Sequence, residues 1–438
     1  MKTYFGTDGV RGIPEKDLSK ELVHKICKAV EDQLSPSSVA VIGDTRSTRR
    51  MIFQWIAEGF SSKTAVVDYG VLPSGSMAYI LNEKNHDLGF IISASHNPSE
   101  YNGIKIIDKS GSKLSDESEA LLEERINNVE LDLSQEAKVE SSSEGMDLYL
   151  QNLLSCAEGI DSTKFNLSID CANGAVTDSA KKLLDTLSIN YEIFNIDSDG
   201  LNINKECGAT NPLSLKKSMT NGYIGLTFDG DADRLIMVDE EGSIANGDVM
   251  IALLAKYLNQ IEKLNGGAVV TTVMANVGLQ RSLDAMNITS VVTPVGDKYV
   301  AEAMEEHKAS LGGEQSGHII LSDYLPVGDG LLTGIFMLKA ISFFGLKLSE
   351  LRKELITEYP QKLINFHLNE TLEASKLDML IQEMKEIEEA NISEGRIFVR
   401  ASGTEPLLRV LIEASTNEEI EQVLHLIEET TTKYLNIK

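Results

Sequence analysis

The sequence predicts a multidomain α/β protein that ends in a smaller α+β segment. Short β-branched runs alternate with helical patterns through most of the chain, the pattern of strands feeding helices around a largely parallel sheet. Residues 39–42, 88–92, 167–169, 223–228 and 269–273 are runs of the first kind. Leu18, Leu22, Ile26 and Val30 recur at helical spacing behind Asp17, the expected N-cap. At 438 residues the chain exceeds what one hydrophobic core spans, so roughly two to four domains are expected.

The boundaries follow from changes in texture. Residues 140–145, a Ser/Glu stretch without apolar periodicity, read as a linker, and a new helical pattern begins near Asn246-Gly247-Asp248. Beyond Tyr359-Pro360 come a helix from Ala374, strands around Phe398 and Val410, and a final helix carrying Ile420, Val423, Leu424 and Ile427. The apolar stretch 330–346 is interrupted by Lys339 and Ser342 and is short for a bilayer span, so a buried helix is expected there. No internal repeat is legible, although several α/β blocks have similar length.

A formal charge of −27 disfavours nucleic acid and anionic membrane as partners, because both are bound through clustered Lys and Arg. If the ligand is itself an anion, cations must be concentrated where it binds. The cysteines Cys27, Cys156, Cys171 and Cys207 lie far apart with no CxxC pair, which opposes a zinc site or a disulfide framework. The opening residues turn polar and Gly-rich at once and lack the apolar core of a signal peptide, so a cytoplasmic location is expected.

Five motifs carry chemistry. Thr227-Phe228-Asp229-Gly230-Asp231-Ala232-Asp233-Arg234 sets three carboxylates at alternate positions, which converge only around a cation, and a hard divalent ion suits them. An EF-hand is the rival, since Glu240 falls at its twelfth position. Arg234 stands where the EF-hand turn needs Gly, and the flanks look like strands rather than helices. A solvated acidic turn is the blander alternative. Ser93-Ala94-Ser95-His96-Asn97-Pro98 follows a buried strand. No acid–His pair can be assigned to activate a serine there, but a phosphoserine at Ser95 would donate its phosphoryl group, with His96 and Lys105 as nearby cations. By itself the motif also fits a helix-capping turn.

Arg400-Ala401-Ser402-Gly403-Thr404, with Arg409 beyond, offers hydroxyls, a flexible turn and forked guanidiniums to a phosphate. Gly313-Glu314-Gln315-Ser316-Gly317-His318 offers a carboxylate and a hydroxyl to sugar hydroxyls, with His318 as a proton carrier or simply a polar loop residue. Tyr4-Phe5-Gly6-Thr7-Asp8-Gly9-Val10-Arg11-Gly12 reads as a Gly-rich entry into the first strand, or as the segment that makes Arg11 a phosphate-facing cation.

In this order, and over nearly the whole chain, these motifs resemble the α-D-phosphohexomutase superfamily. With Cys207-Gly208-Ala209-Thr210, Thr272-Val273-Met274-Ala275-Asn276 and Val295-Gly296-Asp297, they are most similar to the phosphoglucosamine mutase family within it. The resemblance implies three similar α/β domains with mixed sheets plus a smaller C-terminal α+β domain around a central cleft. They would occupy residues 1–145, 146–246, 247–362 and 363–438 and carry in turn the phosphoserine, metal, sugar and phosphate loops. It implies an isomerase that interconverts glucosamine 6-phosphate and glucosamine 1-phosphate through a phosphoserine and a bis-phosphorylated sugar, feeding UDP-N-acetylglucosamine synthesis. One Mg2+ per chain and glucosamine 1,6-bisphosphate as activator are implied with it, and a homodimer is among the assemblies left open.

By the same resemblance Ser95 is the phosphoserine and completes a metal set with Asp229, Asp231 and Asp233. Lys105, Arg11 and His318 take acid/base or charge roles, and His96, as a cation beside Ser95, is a further catalytic candidate from the residues alone. Glu314 and Ser316 are the sugar-binding pair, and Arg400, Ser402, Gly403, Thr404 and Arg409 form the phosphate loop; beside them Arg234, at the end of the acid motif, is a candidate for binding substrate. The chain departs from the family pattern in places. Tyr101 stands where Asp is common and looks more like phosphomannomutase/phosphoglucomutase, the rival reading with the same mechanism. Ser74-Gly75 replaces Thr-Pro, Ala401 replaces Pro, and Gly43-Asp44-Thr45-Arg46 is one residue shorter than the family form. A non-catalytic sugar-phosphate-binding protein is opposed by intact Ser95, Lys105 and the three aspartates, since binding alone needs no phosphoryl carrier.

Overall fold

The computed structural model describes residues 3–6, 8–131, 137–368, 373–401 and 407–434. The chain forms two compact units, Met1–Met274 with Met286–Leu355, and Ala275–Ala285 with Ile356–Lys438.

The first unit holds three mixed sheets. One comprises β1 (Val10–Gly12), β2 (Ser38–Gly43), β3 (Ala65–Val71), β4 (Leu88–Ile92), β5 (Asn102–Asp108) and β6 (Lys138–Ser141), in the order β1-β5-β4-β2-β3-β6. The second comprises β7 (Asn166–Asp170), β8 (Asn190–Phe194), β9 (Ile224–Phe228), β10 (Leu235–Val238) and β11 (Ile244–Ala245), in the order β11-β10-β9-β7-β8. The third comprises β12 (Ala268–Thr272), β13 (Thr289–Thr293), β14 (Leu311–Gly313) and β15 (Ile319–Leu321), in the order β13-β12-β14-β15.

A single four-strand plan recurs in all three. A first strand (β2, β7, β12) has parallel neighbours on both sides, and the third strand (β4, β9, β14) turns back into an antiparallel fourth (β5, β10, β15). The similar block lengths in the sequence are therefore repeats of topology. The turn from third to fourth strand carries Ser95 in the first sheet, the three aspartates in the second, and Glu314 to His318 in the third.

Burial on both faces explains why these strands read as unbroken apolar runs. In β2, Val39 and Val41 face the helices Lys20–Leu34 and Arg49–Gly59, packing with Val23, Ile26, Ile52 and Ile56. Ala40 and Ile42 face the helix Ser76–Lys84 through Met77, Ile80 and Leu81. The stretch after Asp329 forms a helix, Gly330–Phe344, whose residues are mostly buried. Among the described residues no single helix is long and apolar enough to cross a membrane.

The second unit is an antiparallel sheet of β16 (Gln361–His367), β17 (Arg396–Ala401) and β18 (Leu407–Glu413), in the order β16-β18-β17. Leu408, Val410 and Ile412 of β18 pack with Leu380 and Met384 of the helix Ala374–Asn391 and with Ile420, Val423 and Ile427 of the helix Asn417–Tyr434. The helix Val277–Ala285 belongs to this unit: Asn276 exchanges hydrogen bonds with the Tyr359 backbone, and Val277 N donates to Glu413 Oε1.

Three local expectations are corrected. The first helix is capped by Ser19, whose hydroxyl accepts from Leu22 N, because Asp17 accepts from Ile13 N instead. Residues 140–145 are no linker: β6 and the helix Glu144–Cys156 run through them. Between Tyr359 and Ala374 lies the unforeseen strand β16.

Gly75 shows how tightly the first unit is fitted. A Cβ there would lie 2.0 Å from Asp329 Oδ2. That carboxylate cannot swing away, since it accepts from Tyr149 Oη at 2.7 Å and from Leu332 N at 2.8 Å. The Pro that the family resemblance would place here therefore has no room. Gly75→Ala is expected to destabilise the fold by about 1–3 kcal/mol, as overpacking does. Urea unfolding checks this, and the loss should shrink in an Asp329→Ala background, where the clash is gone.

Candidate active site

Ser95 follows β4 in a sharp turn and is buried, with a left-handed backbone (φ 49°) that is unusual for a residue with a Cβ. Its neighbours hold that conformation. Ser95 N donates to Ser93 Oγ at 2.8 Å, and its carbonyl accepts from Arg46 at 3.0 Å and Asn204 at 2.8 Å. The Ser95 hydroxyl then points at the second sheet, donating to Asp229 Oδ2 at 2.6 Å, with Asp233 Oδ1 and His96 Nδ1 each 3.4 Å away.

The carboxylates come from the tight β9–β10 turn. Its strand flanks exclude the EF-hand alternative, whose loop joins helices. Gly230 is required there, since a Cβ would meet Ile203 Cδ1 at 2.6 Å and Ser95 O at 2.8 Å. Asp229, Asp231 and Asp233 are all buried and present oxygens within 4.8 Å of one another. Burial, with Asp233 and Asp231 beside it, drives the Asp229 carboxyl well above its ordinary range. Asp231 Oδ2 accepts from Ser74 Oγ and from Lys105 Nζ, both at 2.8 Å, whereas its buried Oδ1 has no partner. A converging set of hard oxygens, one of them orphaned and one carboxyl starved of counter-charge, fits a divalent cation.

Around the triad runs a closed ring of alternating charges. Lys105 Nζ reaches Asp233 at 2.9 Å and Asp8 at 3.0 Å; Lys113 bridges Asp8 to Asp297; His318 lies between Asp297 at 3.5 Å and Asp233 at 3.8 Å. Burial alone would strip the proton from Lys105, yet Asp231, Asp233 and Asp8 hold its ammonium well above its ordinary value. Burial would likewise raise Asp8, but Lys105, Lys113 and Arg11 keep it ionised, well below the usual carboxylate range. Sequence reasoning gave no role to Lys113 and quoted Asp8 and Asp297 only within motifs. Asp8 pairs with Arg11, although in a turn that enters a strand their spacing is no signal of it. Lys113 carried no signal either.

The remaining predicted residues divide. Arg11 donates to Asn97 Oδ1 at 2.9 Å beside the serine loop. Arg234 Nε is buried and makes no hydrogen bond, with Asp233 Oδ1 3.8 Å away as its ionic partner. Glu314 is held by Gly296 N at 3.1 Å, and Ser316 is half-buried in the same turn. His318, Lys113 and Asp297 line a cavity of about 880 Å3 together with Lys298 and Ser112. In the second unit Arg400 and Arg409 sit opposite each other on β17 and β18, both exposed. Like charges so placed repel, and an anion between them relieves it. Ser402, Gly403 and Thr404 lie outside the described residues.

His96 does not fit the cationic role given to it. Burial, then Arg234 and Arg11, push its imidazole down to about 4, so the ring is neutral near pH 7. His318 goes the other way: burial opposes its charge, but Asp233 and Asp297 raise it above its ordinary value. An NMR titration of the two rings should find His96 neutral down to about pH 5 and His318 still protonated at about pH 6.5, the reference value for a free imidazole. Titration of both near that value would contradict this electrostatic picture. Because the folded His96 value is depressed, its contribution to stability is present above that reference and fades as pH falls towards 4.

Repeated α/β sheets that deliver a buried serine, an acid triad and a ring of alternating charges to one place describe an enzyme of phosphoryl transfer. The chain belongs to the α-D-phosphohexomutase superfamily of isomerases. It matches the phosphoglucomutase/phosphomannomutase family over residues 2–132 (alpha/beta/alpha domain I), 246–359 (alpha/beta/alpha domain III) and 363–430 (C-terminal domain). Phosphoglucosamine mutase of Thermotoga maritima is 42% identical over 427 residues, covering 97% of this chain and 98% of that one. That of Lactococcus lactis subsp. cremoris is 40% identical over 454 residues and covers 100% of both. Two solved structures share the fold. A phosphoglucomutase/phosphomannomutase family protein from Burkholderia thailandensis superposes with a TM-score of 0.82 at 22% identity, covering 100% of both chains. Aspergillus fumigatus N-acetylphosphoglucosamine mutase, in complex with GlcNAc-6P and magnesium, gives 0.71 at 18% identity, covering 99% of this chain and 96% of that one.

Proposed function

We propose that the chain interconverts glucosamine 6-phosphate and glucosamine 1-phosphate, with Ser95 carrying the phosphoryl group between the two positions. The observation that carries this reading is the Ser95 hydroxyl lying 2.6 Å from Asp229 within a buried acid triad. Full-length relatives that are phosphoglucosamine mutases at about 40% identity support the choice of sugar. Mg2+ would be held by Asp229, Asp231, Asp233 and the phosphorylated Ser95, and when bound it neutralises charge on the transferring oxygens.

The chain's own residues do the rest. Lys105, kept protonated by its three aspartates, supplies fixed positive charge beside the transferring group. The phosphoryl group leaves Ser95 Oγ for a sugar hydroxyl, and the proton that hydroxyl gives up balances the one the freed Ser95 Oγ takes on; His318, whose charge Asp233 and Asp297 favour, is placed to donate in that exchange. Glu314, Ser316 and Arg234 orient the sugar phosphate, and the Arg400/Arg409 pair holds the phosphate that is not reacting. The bis-phosphorylated sugar turns over between the half-reactions, and glucosamine 1,6-bisphosphate loads a bare Ser95. One sheet per segment supports the four-domain division at 1–145, 146–246, 247–362 and 363–438, although the helix Glu144–Cys156 runs across the first boundary and β16 begins at Gln361, just before the last. Cysteines that are all unpaired support a cytoplasmic setting.

Tyr101 favours the second reading, a phosphomannomutase/phosphoglucomutase with the same machinery. Comparing kcat/KM for glucosamine, glucose and mannose 1-phosphates separates the two, and glucosamine 1-phosphate is expected to be the best substrate. Ser95→Ala is expected to lower kcat by at least ~10³-fold and to abolish the single phosphate seen by intact-mass analysis after bisphosphate treatment. Substantial turnover by Ser95→Ala would sink the mechanism. If glucosamine 1-phosphate proved the poorest substrate, the sugar assignment alone would fall.

A further inference from the structure

Arg46 is a fully buried guanidinium in the first unit that touches none of the acid triad. Its fork is saturated. Nε donates to Asp44 Oδ2 at 3.0 Å; one terminal nitrogen donates to Tyr101 O at 3.0 Å and to Pro98 O; the other donates to Ser95 O at 3.0 Å and Asn97 O at 2.8 Å. All five N–H groups of an arginine are thereby used, four of them on carbonyls of a single loop. Asp44 in turn accepts from Ser93 Oγ at 2.6 Å, and Ser93 Oγ accepts from Ser95 N, so the assembly closes on the serine from both sides. Asn204, in the segment after β8, adds a second grip, donating to Ser95 O at 2.8 Å and Asn97 O at 3.3 Å.

A loop whose carbonyls are drawn inward to one cation must turn its side chains outward. That is the physical reason Ser95 keeps φ at 49°, a conformation that a residue with a Cβ holds only when its surroundings over-determine it. From the geometry we propose that Arg46 is a positioning residue for phosphoryl transfer: it never meets the sugar, but it fixes the strained turn that aims Ser95 Oγ at Asp229. Lysine cannot substitute, because a single ammonium cannot span four carbonyls and Asp44 together. The proposal rests on Ser95 being the phosphoryl carrier.

Arg46→Lys in the full chain tests it, with wild type alongside. Both are treated with sugar bisphosphate, phosphate on Ser95 is read by intact mass, and transfer to sugar 6-phosphate is followed in steady state and single turnover. The expected result is a folded Arg46→Lys with unchanged KM, in which kcat and single-turnover transfer fall ~10²-fold, the scale of loss when a reacting group is misplaced by about 1 Å. An unimpaired transfer rate would overturn the proposal, as would a rise in KM at constant kcat, which would make Arg46 a substrate contact. If Arg46→Lys does not fold, isosteric Asp44→Asn, which weakens the anchor of the fork, should show the same split in smaller measure, and normal transfer by a folded Asp44→Asn would overturn the proposal. A wild type that takes up no phosphate on Ser95 would overturn the reading beneath it as well, whereas a normally loaded wild type with a fully active Arg46→Lys would overturn this proposal alone.

Discussion

Three carboxylates buried within a few ångströms of one another are the constraint around which the first unit is organised. Unit charges about 4 Å apart interact at roughly 4 kcal/mol even where solvent partly screens them, and burial strengthens the repulsion. Such a cluster persists only if cations are fixed beside it. Lys105 spans two of the aspartates and Asp8, and Lys113, Asp297 and His318 extend the balance into a ring. Each cation is held by at least two anions, and each anion of the ring leans on more than one cation. Removing one member therefore leaves buried charge uncompensated on both sides. The chain as a whole is strongly acidic, so the positive charge an anionic substrate needs is concentrated in this small set of buried side chains.

The repeated sheet plan explains how distant segments supply one site. In each copy the third strand ends where a turn must reverse the chain, and the turn stands over the end of a buried sheet, where backbone groups and short side chains are free to serve a ligand. The first strand of the same copy buttresses that turn. Arg46 follows β2 and grips the serine loop, and Ala175 follows β7 and donates to Gly230 O at 2.9 Å in the acid turn. In the third copy the turn is held at Glu314 by Gly296 N, from the segment after β13.

Much of this was legible in the sequence, for physical reasons that differ by element. Strands buried on both faces, such as β4 and β9, announce themselves as unbroken apolar runs. The exposed edge strand β6 could not, because it is held by pairing with β3 rather than by an apolar face, and β16 buries Phe366 as its main anchor. Ser95, Lys105 and the aspartates stood out because their chemistry is local to short motifs. Their supports did not. Lys113 and Asp297 meet across 184 residues, Ser74 and Asp231 across 157, and Asn204 and Ser95 across 109, distances over which spacing carries no information. Arg46 was visible only as part of a shortened motif, with nothing to say that its fork is spent on backbone. His96 was misjudged because burial and two neighbouring guanidiniums, not residue type, set its charge.

Gly230 bears on how such a site can change over time. Its Cα lies against the carbonyl of Ser95, so the span from the serine oxygen to the acid turn is gauged main chain against main chain. Side chains elsewhere can vary without altering that gauge. The turn carrying Glu314 and Ser316 is joined to it, since Leu235 N, just past the acid turn, donates to Gly317 O at 3.1 Å and a Cβ on Gly317 would lie 2.0 Å from Leu235 O. The three turns are thus set against one another through the main chain, and a shift in any one of them is passed to its neighbours.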